Sequence, residues 1–360
     1  MQMRYPEPLK KRGTVGFAAP SFGAAVEPYR SAFKNALKYF EAEGYSVQLG
    51  PNCFAGEGTG ISNLPSMCGK ELTDIYCSSE NGAVISVGGG ELMCEILDHI
   101  DFEKVRNSPA KWFMGYSDNT NFTFLLNTLC DTASIYGPCA PAFGMEPLHP
   151  ALSDAFSLIT GKRSKVKNYE KWERESLKGP ENPLEPFNCT EDFAPVFYDE
   201  KGRKTGKVSF KGRMIGGCVD CLINICGTKF DMVSKFCEKY KDDGIVWFLE
   251  SCDLNTVSFR RAMWQLKHAG WFKYVRGFIF GRPYLIDDCS IGLSWEDAVF
   301  EHIKDLGVPC VRDADLGHLP PMMPVISGSF AKISCETSSP SSECDGSAAK
   351  PSVRIEYIKR

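Results

Sequence analysis

Ser117 is the first residue in this chain whose surroundings suggest covalent chemistry. The segment Trp112–Thr120 (WFMGYSDNT) passes from an apolar run through Gly-x-Ser into a cluster that starts helices, and Phe122, Leu125, Leu126 and Leu129 continue at helical spacing. A serine at a sharp strand-to-helix turn is the arrangement of a nucleophile elbow, and the helix end's free N–H groups favour negative charge beside it. Asn119 stands where the second glycine of Gly-x-Ser-x-Gly would be, and a Ser/Asp N-cap on an ordinary helix would read the same way. A serine attacks only when a base takes its proton and a third group orients the base. His318 sits in a non-helical Gly/Pro loop (DLGHLPPMMP, 315–324) suited to a fixed base, although a structural loop histidine is the alternative. His268 and His302 fall in helical patterns, His99 near a helix end and His149 in a Pro-rich loop. Glu250 closes the apolar run Ile245–Leu249, where a carboxylate needs either a partner or solvent. Serine, acid, histidine is the chain order of α/β hydrolases.

Two other clusters could carry chemistry. Gly88, Gly89 and Gly90 follow an apolar run and could cradle a phosphate, but the spacing is not Gly-x-Gly-x-x-Gly and Glu91 would repel an anion. Backbone N–H groups for an oxyanion hole, shared with the amide of Asp118, are the favoured reading. Cys218 and Cys221 form a Cys-x-x-Cys at the start of a helical stretch, Val219–Cys226, whose N-terminus would acidify their thiols slightly. No second such pair completes a four-thiolate zinc site and the five histidines lack ligand spacing, so no metal and no cofactor are expected.

The elements that must hold these residues alternate. Strands are expected at Gly13–Ala19, Ser46–Gly50 and Gly82–Val87, with helices at Tyr29–Gly44, Glu71–Ser78 and Glu91–Ile100, before the strand and helix around Ser117. From about Gly161 to Lys207 the pattern dissolves into a polar, Pro-, Glu- and Lys-rich connection. A second α/β region follows, with strands at Ile245–Leu249 and Gly277–Phe280 and helices at about Ser258–Ala269 and Ser294–Leu306; Ser338–Lys350 reads as a mobile loop. The expectation is an α/β protein with a parallel-sheet N-terminal domain (1–160), a connection with a surface excursion (161–207) and a mixed α/β C-terminal domain (208–360). Its ligand would lie outside the carboxyl ends of the strands.

At 360 residues, 43% hydrophobic and 24% charged, with a net charge of −4, the chain reads as an ordinary globular protein of about two domains and not as a nucleic-acid binder. The N-terminus has no apolar signal region and no run approaches a membrane span, so a cytoplasmic location without membrane contact is expected. The sixteen cysteines are then mostly small buried hydrophobes.

Five blocks together resemble the LD-carboxypeptidase family of serine peptidases over nearly the whole chain: SVGGGE with ILDHIDF (86–102), MGYSDNT (114–120), KGRMIGGC (211–218), WFLE (247–250), and GH with PMMPVISG (317–328). The glycine block and FRRAMWQLKHAG (259–270) are more similar to the microcin C self-immunity branch. The resemblance implies a Ser117–Glu250–His318 triad, an oxyanion hole from the amides of Gly90 and Asp118, a Rossmann-like first domain, a site between the domains and a homodimer. It also implies that Gly89 and Cys218 contact substrate, that the 161–207 connection carries an active-site loop (YEKWERE, 169–175) lying over the site, polar and mobile, and that its Trp172 stacks on a flat group such as a nucleobase; a surface aromatic anchoring its loop is the alternative. Cys218 stands where the family often has Asn. The reading that follows is a carboxypeptidase acting next to a free carboxylate through an acyl-enzyme, on a small peptide. The alternatives are an amidase on aminoacyl-nucleotide analogues and a catalytically idle nucleotide-binding α/β protein, which would take no serine-directed label.

Overall fold

The computed structural model describes residues 2–285, 291–337 and 350–358. Two mixed sheets organise them. The first has six strands in the order Val325–Ser327, Ser134–Tyr136, Trp112–Gly115, Ala83–Ser86, Thr14–Ala18 and Ser46–Leu49. The five N-terminal strands run parallel; Val325–Ser327 joins the edge antiparallel to Ser134–Tyr136. Strands Ala83–Ser86 and Trp112–Gly115 are buried at every position, as expected for a parallel sheet covered on both faces. The second sheet has eight strands, with a parallel centre formed by Lys207–Cys218, Ile245–Glu250, Val275–Gly281 and Cys310–Ala314, and antiparallel strands on both sides.

The helix after Ser117, Thr120–Thr128, lies between the sheets. Its residues Thr120–Asn127 are all buried, and it packs against strands Ser134–Tyr136 and Lys207–Cys218 and helix Val219–Ile225. Phe124 stacks on Trp271 at 5.4 Å and leans on Trp247 at 6.3 Å, joining this helix to the second half of the chain.

Several expected elements are corrected. The helix expected at Glu91–Ile100 is a 3₁₀ stretch, Met93–His99, and the one at Ser294–Leu306 is a single helical turn and a half, Trp295–Phe300, followed by a 3₁₀ turn at Lys304–Leu306. The helix placed at Glu71–Ser78 begins earlier, at Pro65, whose missing N–H suits the first helical turn. The polar connection is not structureless. Lys165–Lys167 and Val196–Tyr198 are edge strands of the second sheet, and Lys171–Glu173 pairs with Cys189–Asp192 as a separate ribbon. Of the loop expected at Ser338–Lys350, all but Lys350 lies outside the described residues.

Candidate active site

Ser117 follows strand Trp112–Gly115 and takes a left-handed φ of +61° at the start of a short 3₁₀ turn, a strained conformation for a residue with a side chain. The turn is held by close packing. A Cβ on Gly115 would come within 2.8 Å of Asn119 Cγ and 3.0 Å of Ser86 Cβ. Asn119 occupies the expected glycine position because its side-chain amide ties the elbow to the glycine loop, donating to the Gly88 carbonyl at 2.7 Å and the Tyr116 carbonyl at 3.1 Å. Asp118 is an anchor from the other side: its buried carboxylate accepts from the Ser21 hydroxyl at 2.6 Å, the Met93 amide at 2.9 Å and Asn121 at 3.0 Å, and burial pushes its pKa up to about 6.

His318 and Glu250 converge on this serine. His318 Nε2 lies 2.8 Å from Ser117 Oγ, and His318 Nδ1 lies 2.8 Å from Glu250 Oε2. Glu250 ends strand Ile245–Glu250 and is 3% exposed. The histidine loop can pass this carboxylate only because Gly317 has no side chain: its φ is +93°, and a Cβ there would sit 2.3 Å from Glu250 Oε2. Burial works to lower the His318 pKa, but the Glu250 carboxylate and hydrogen bonding from Cys252 and Glu250 outweigh it and hold the imidazole well above its ordinary value. The second carboxylate oxygen, Oε1, accepts from the buried hydroxyl of Tyr136, which also receives the Ser117 amide at 3.1 Å.

The other expected site residues are placed as follows. A Cβ at Gly89 would stand 3.2 Å from Ser117 Oγ, so Gly89 borders Ser117, while one at Gly90 would run into Ser21 Oγ. Cys218 is 2% exposed, with its thiol 3.2 Å from Asp220 and its amide donating to Thr120, and so offers almost no surface to a substrate. The expected acidification of the two thiols is reversed. Burial drives the Cys218 pKa well up, and for Cys221 the Cys218 hydrogen bond that lowers it is outweighed by burial and nearby carboxylates. Asp220, between them, accepts the amides of Cys252, Asp253 and Leu254 and so fixes the turn after Glu250.

Trp172 is not in a structureless loop. It lies in strand Lys171–Glu173, its indole N–H donates to the Asp192 carbonyl at 3.1 Å, and its ring lies 4.8 Å from the Arg282 guanidinium. Trp172, Arg282, Tyr284 and Leu319 border a cleft of about 910 Å³ whose lining includes Leu319, the residue after His318, but not Ser117, Glu250 or His318. Among the described residues, no group of three His, Cys, Asp or Glu side chains could hold a metal, and no helix is long and apolar enough to cross a membrane.

Arg282 and Asp315 carry no motif of their own in the sequence. Arg282 follows the apolar run Gly277–Phe280, which is the signal that could have found it, whereas Asp315 has no such signal. Arg282 pairs with Asp315 at 2.5 Å and donates to the Leu319 carbonyl at 2.9 Å, bracketing His318, and Asp315 also accepts the Tyr169 amide. Their side chains are 6% and 1% exposed. Arg282→Ala leaves a buried carboxylate unpaired and is expected to lose about 3–5 kcal/mol of stability. A urea melt checks this, and a loss under about 1 kcal/mol would show that water replaces the guanidinium.

Comparison with known proteins agrees over most of the chain. Residues 15–137 match the family description "LD-carboxypeptidase N-terminal domain" and residues 211–333 match "LD-carboxypeptidase C-terminal domain". A putative carboxypeptidase of Vibrio cholerae is 26% identical over 324 residues, 89% of this chain and 92% of that protein. A probable murein peptide carboxypeptidase of Bacillus subtilis is 24% identical over 91% of this chain and 90% of its own. Among solved structures, an MccF-like protein from Bacillus anthracis superposes with a TM-score of 0.76 at 21% identity, covering 99% of this chain and 100% of that one. The microcin C7 self-immunity protein MccF, solved in complex with aspartyl sulfamoyl adenosine, gives 0.75 at 21% identity over 91% and 95%.

Proposed function

Because the chain belongs to the LD-carboxypeptidase family, we propose that it is a serine carboxypeptidase that hydrolyses an amide next to a free carboxylate through an acyl-enzyme on Ser117. The observation that carries this reading is the unbroken line of two 2.8 Å contacts from Ser117 Oγ through His318 to Glu250. His318 Nε2 takes the serine proton as Oγ attacks the carbonyl carbon, and Glu250 stabilises the imidazolium that forms. The amides of Gly90 and Asp118 hold the oxyanion, His318 returns the proton to the leaving amine, and water then releases the acyl group by the same route. His318 must be neutral to act as base, so its raised pKa places the acid limb of kcat/KM above pH 6.5.

Two substrates are compared in the deciding experiment: a murein tetrapeptide, which the Bacillus subtilis relative's name suggests, and an aminoacyl sulfamoyl adenosine, which MccF binds. Turnover of the peptide supports the carboxypeptidase. Failure to turn over either, with no phosphonate adduct at Ser117, would leave the idle nucleotide binder. The amidase reading draws on Trp172, whose ring borders the cleft with a buried cation behind it. If the ring receives a base, Trp172→Ala raises KM for the nucleotidyl substrate about tenfold to a hundredfold and leaves kcat on the peptide nearly unchanged. Equal losses on both substrates would mean that Trp172 only braces Arg282. A cytoplasmic homodimer acting in murein peptide recycling completes the proposal. The fourteen free cysteines among the described residues support only the compartment, which they suit as a reducing one, the Bacillus subtilis relative's name supports the recycling, and sedimentation tests the dimer.

A further inference from the structure

A tyrosine hydroxyl has one proton to give. The Ser117 amide can only donate, so at their 3.1 Å contact the Tyr136 oxygen accepts, and its single proton must go to Glu250 Oε1. Glu250 Oε2 then faces His318 Nδ1, and His318 Nε2 faces Ser117 Oγ. The contacts form a ring that leaves Ser117 by its backbone and returns to it by its side chain. Tyr136 is 0% exposed, lies on strand Ser134–Tyr136 of the first sheet, and reaches across to a carboxylate on the second.

We propose that Tyr136 is a positioning residue for this site: its hydroxyl reads the donor direction of the Ser117 amide and orients Glu250, so that Oε2 is turned to His318 and the neutral imidazole carries its proton on Nδ1. This deepens the hydrolase reading and rests on it for any effect on rate. The same bond satisfies the Ser117 amide and helps hold the strained elbow, leaving the amides of Asp118 and the glycine loop as the candidate oxyanion donors. Phe248, 5.6 Å from the Tyr136 ring, and Tyr116, at 6.4 Å, pack around the aromatic body, so Phe fits the same space.

Nitrogen-15 NMR of histidine-labelled protein, with His318 assigned through His318→Gln, reads the ring without any substrate. The wild type is expected to show neutral His318 as the Nδ1–H tautomer; the Nε2–H tautomer would overturn the proposal, and this measurement stands even if a variant does not fold. In Tyr136→Phe, Glu250 loses a donor, more of its charge faces His318, and the imidazolium keeps its proton to higher pH. The expected shift of the His318 midpoint is roughly one unit upward. Cys252, Glu91, Tyr116 and Tyr284 also face His318, and Cys218 and Tyr116 lie near Tyr136, but all are retained in the variant. The other four histidines should not move. An unmoved His318 midpoint, even with a lower melting temperature, would reduce Tyr136 to a packing residue. On an accepted substrate, kcat should fall about tenfold to a hundredfold with KM within about twofold. A midpoint shift in a protein that turns over no amide would keep Tyr136 in its role and reject the hydrolase instead.

Discussion

Ser117→Ala is expected to lower turnover by roughly a thousandfold or more, and His318→Ala added to it to cost little further. On the proposed mechanism Ser117 and His318 act as one unit: with no serine proton to move, the imidazole 2.8 Å away has nothing to accept. The alanine keeps the backbone at φ +61° and adds no new strain beyond the serine's, so the melt should be nearly unchanged. His318→Ala alone differs, because it leaves Glu250 Oε2 without a partner at a side chain only 1% exposed, a loss of about 1–3 kcal/mol that His318→Gln should reduce. The sign of the pH effect follows from the raised imidazole pKa. Its contribution to stability is fully present below the unfolded value of about 6.5 and disappears as pH rises through the folded value. The stability gap between wild type and His318→Gln should therefore be widest in mild acid and close in alkali. Steady-state kinetics of the two single variants and the double variant check the first claim. Losses that multiply would assign Ser117 and His318 to separate roles.

Gly89→Ala is expected to remove about a hundredfold to a thousandfold of kcat/KM while leaving the fold intact. The new methyl would stand 3.1 Å from Ser117 Cβ and 3.2 Å from its Oγ, in space that an attacked carbonyl must enter at a similar distance. Gly89 is not among the glycines with positive φ, so alanine costs the backbone little there. Gly90→Ala is the informative contrast. Its methyl would strike Ser21 Oγ, the donor that holds Asp118, so stability should fall together with activity. Melting temperature measured beside the rate of phosphonate labelling separates the two. A Gly89→Ala protein that labels at the wild-type rate would mean that substrate reaches Ser117 from another side.

The parts of the site visible in sequence are those where chemistry and backbone make the same demand. Ser117, Glu250 and His318 each stand where an apolar run or a Gly/Pro loop ends, and the structure brings the three together. Asn119 looks like a defect in a glycine pattern; the hydrogen bond its side chain donates to the Gly88 carbonyl becomes visible only when the two loops meet. Tyr136 sits in a three-residue strand, and no local pattern tells where its hydroxyl points. The ribbon around Trp172 escapes a sequence reading because a pair of three- and four-residue strands rich in charge buries too little to leave a periodic signal. The thiols of Cys218 and Cys221 mislead for a different reason: a helix end is visible in the sequence, but the sheets that bury it are not.

The histidine loop leaves the second sheet at Ala314 and, after His318, docks on the first as Val325–Ser327. His318 lies 201 residues downstream of the serine it contacts. During synthesis, then, Ser117 emerges early and stays without His318 while the ribosome makes most of the second half. On the proposed mechanism the base arrives only when the late segment closes on a sheet laid down long before, so a prematurely released chain carries a serine with no base to activate it against the amides of its own or a neighbouring chain.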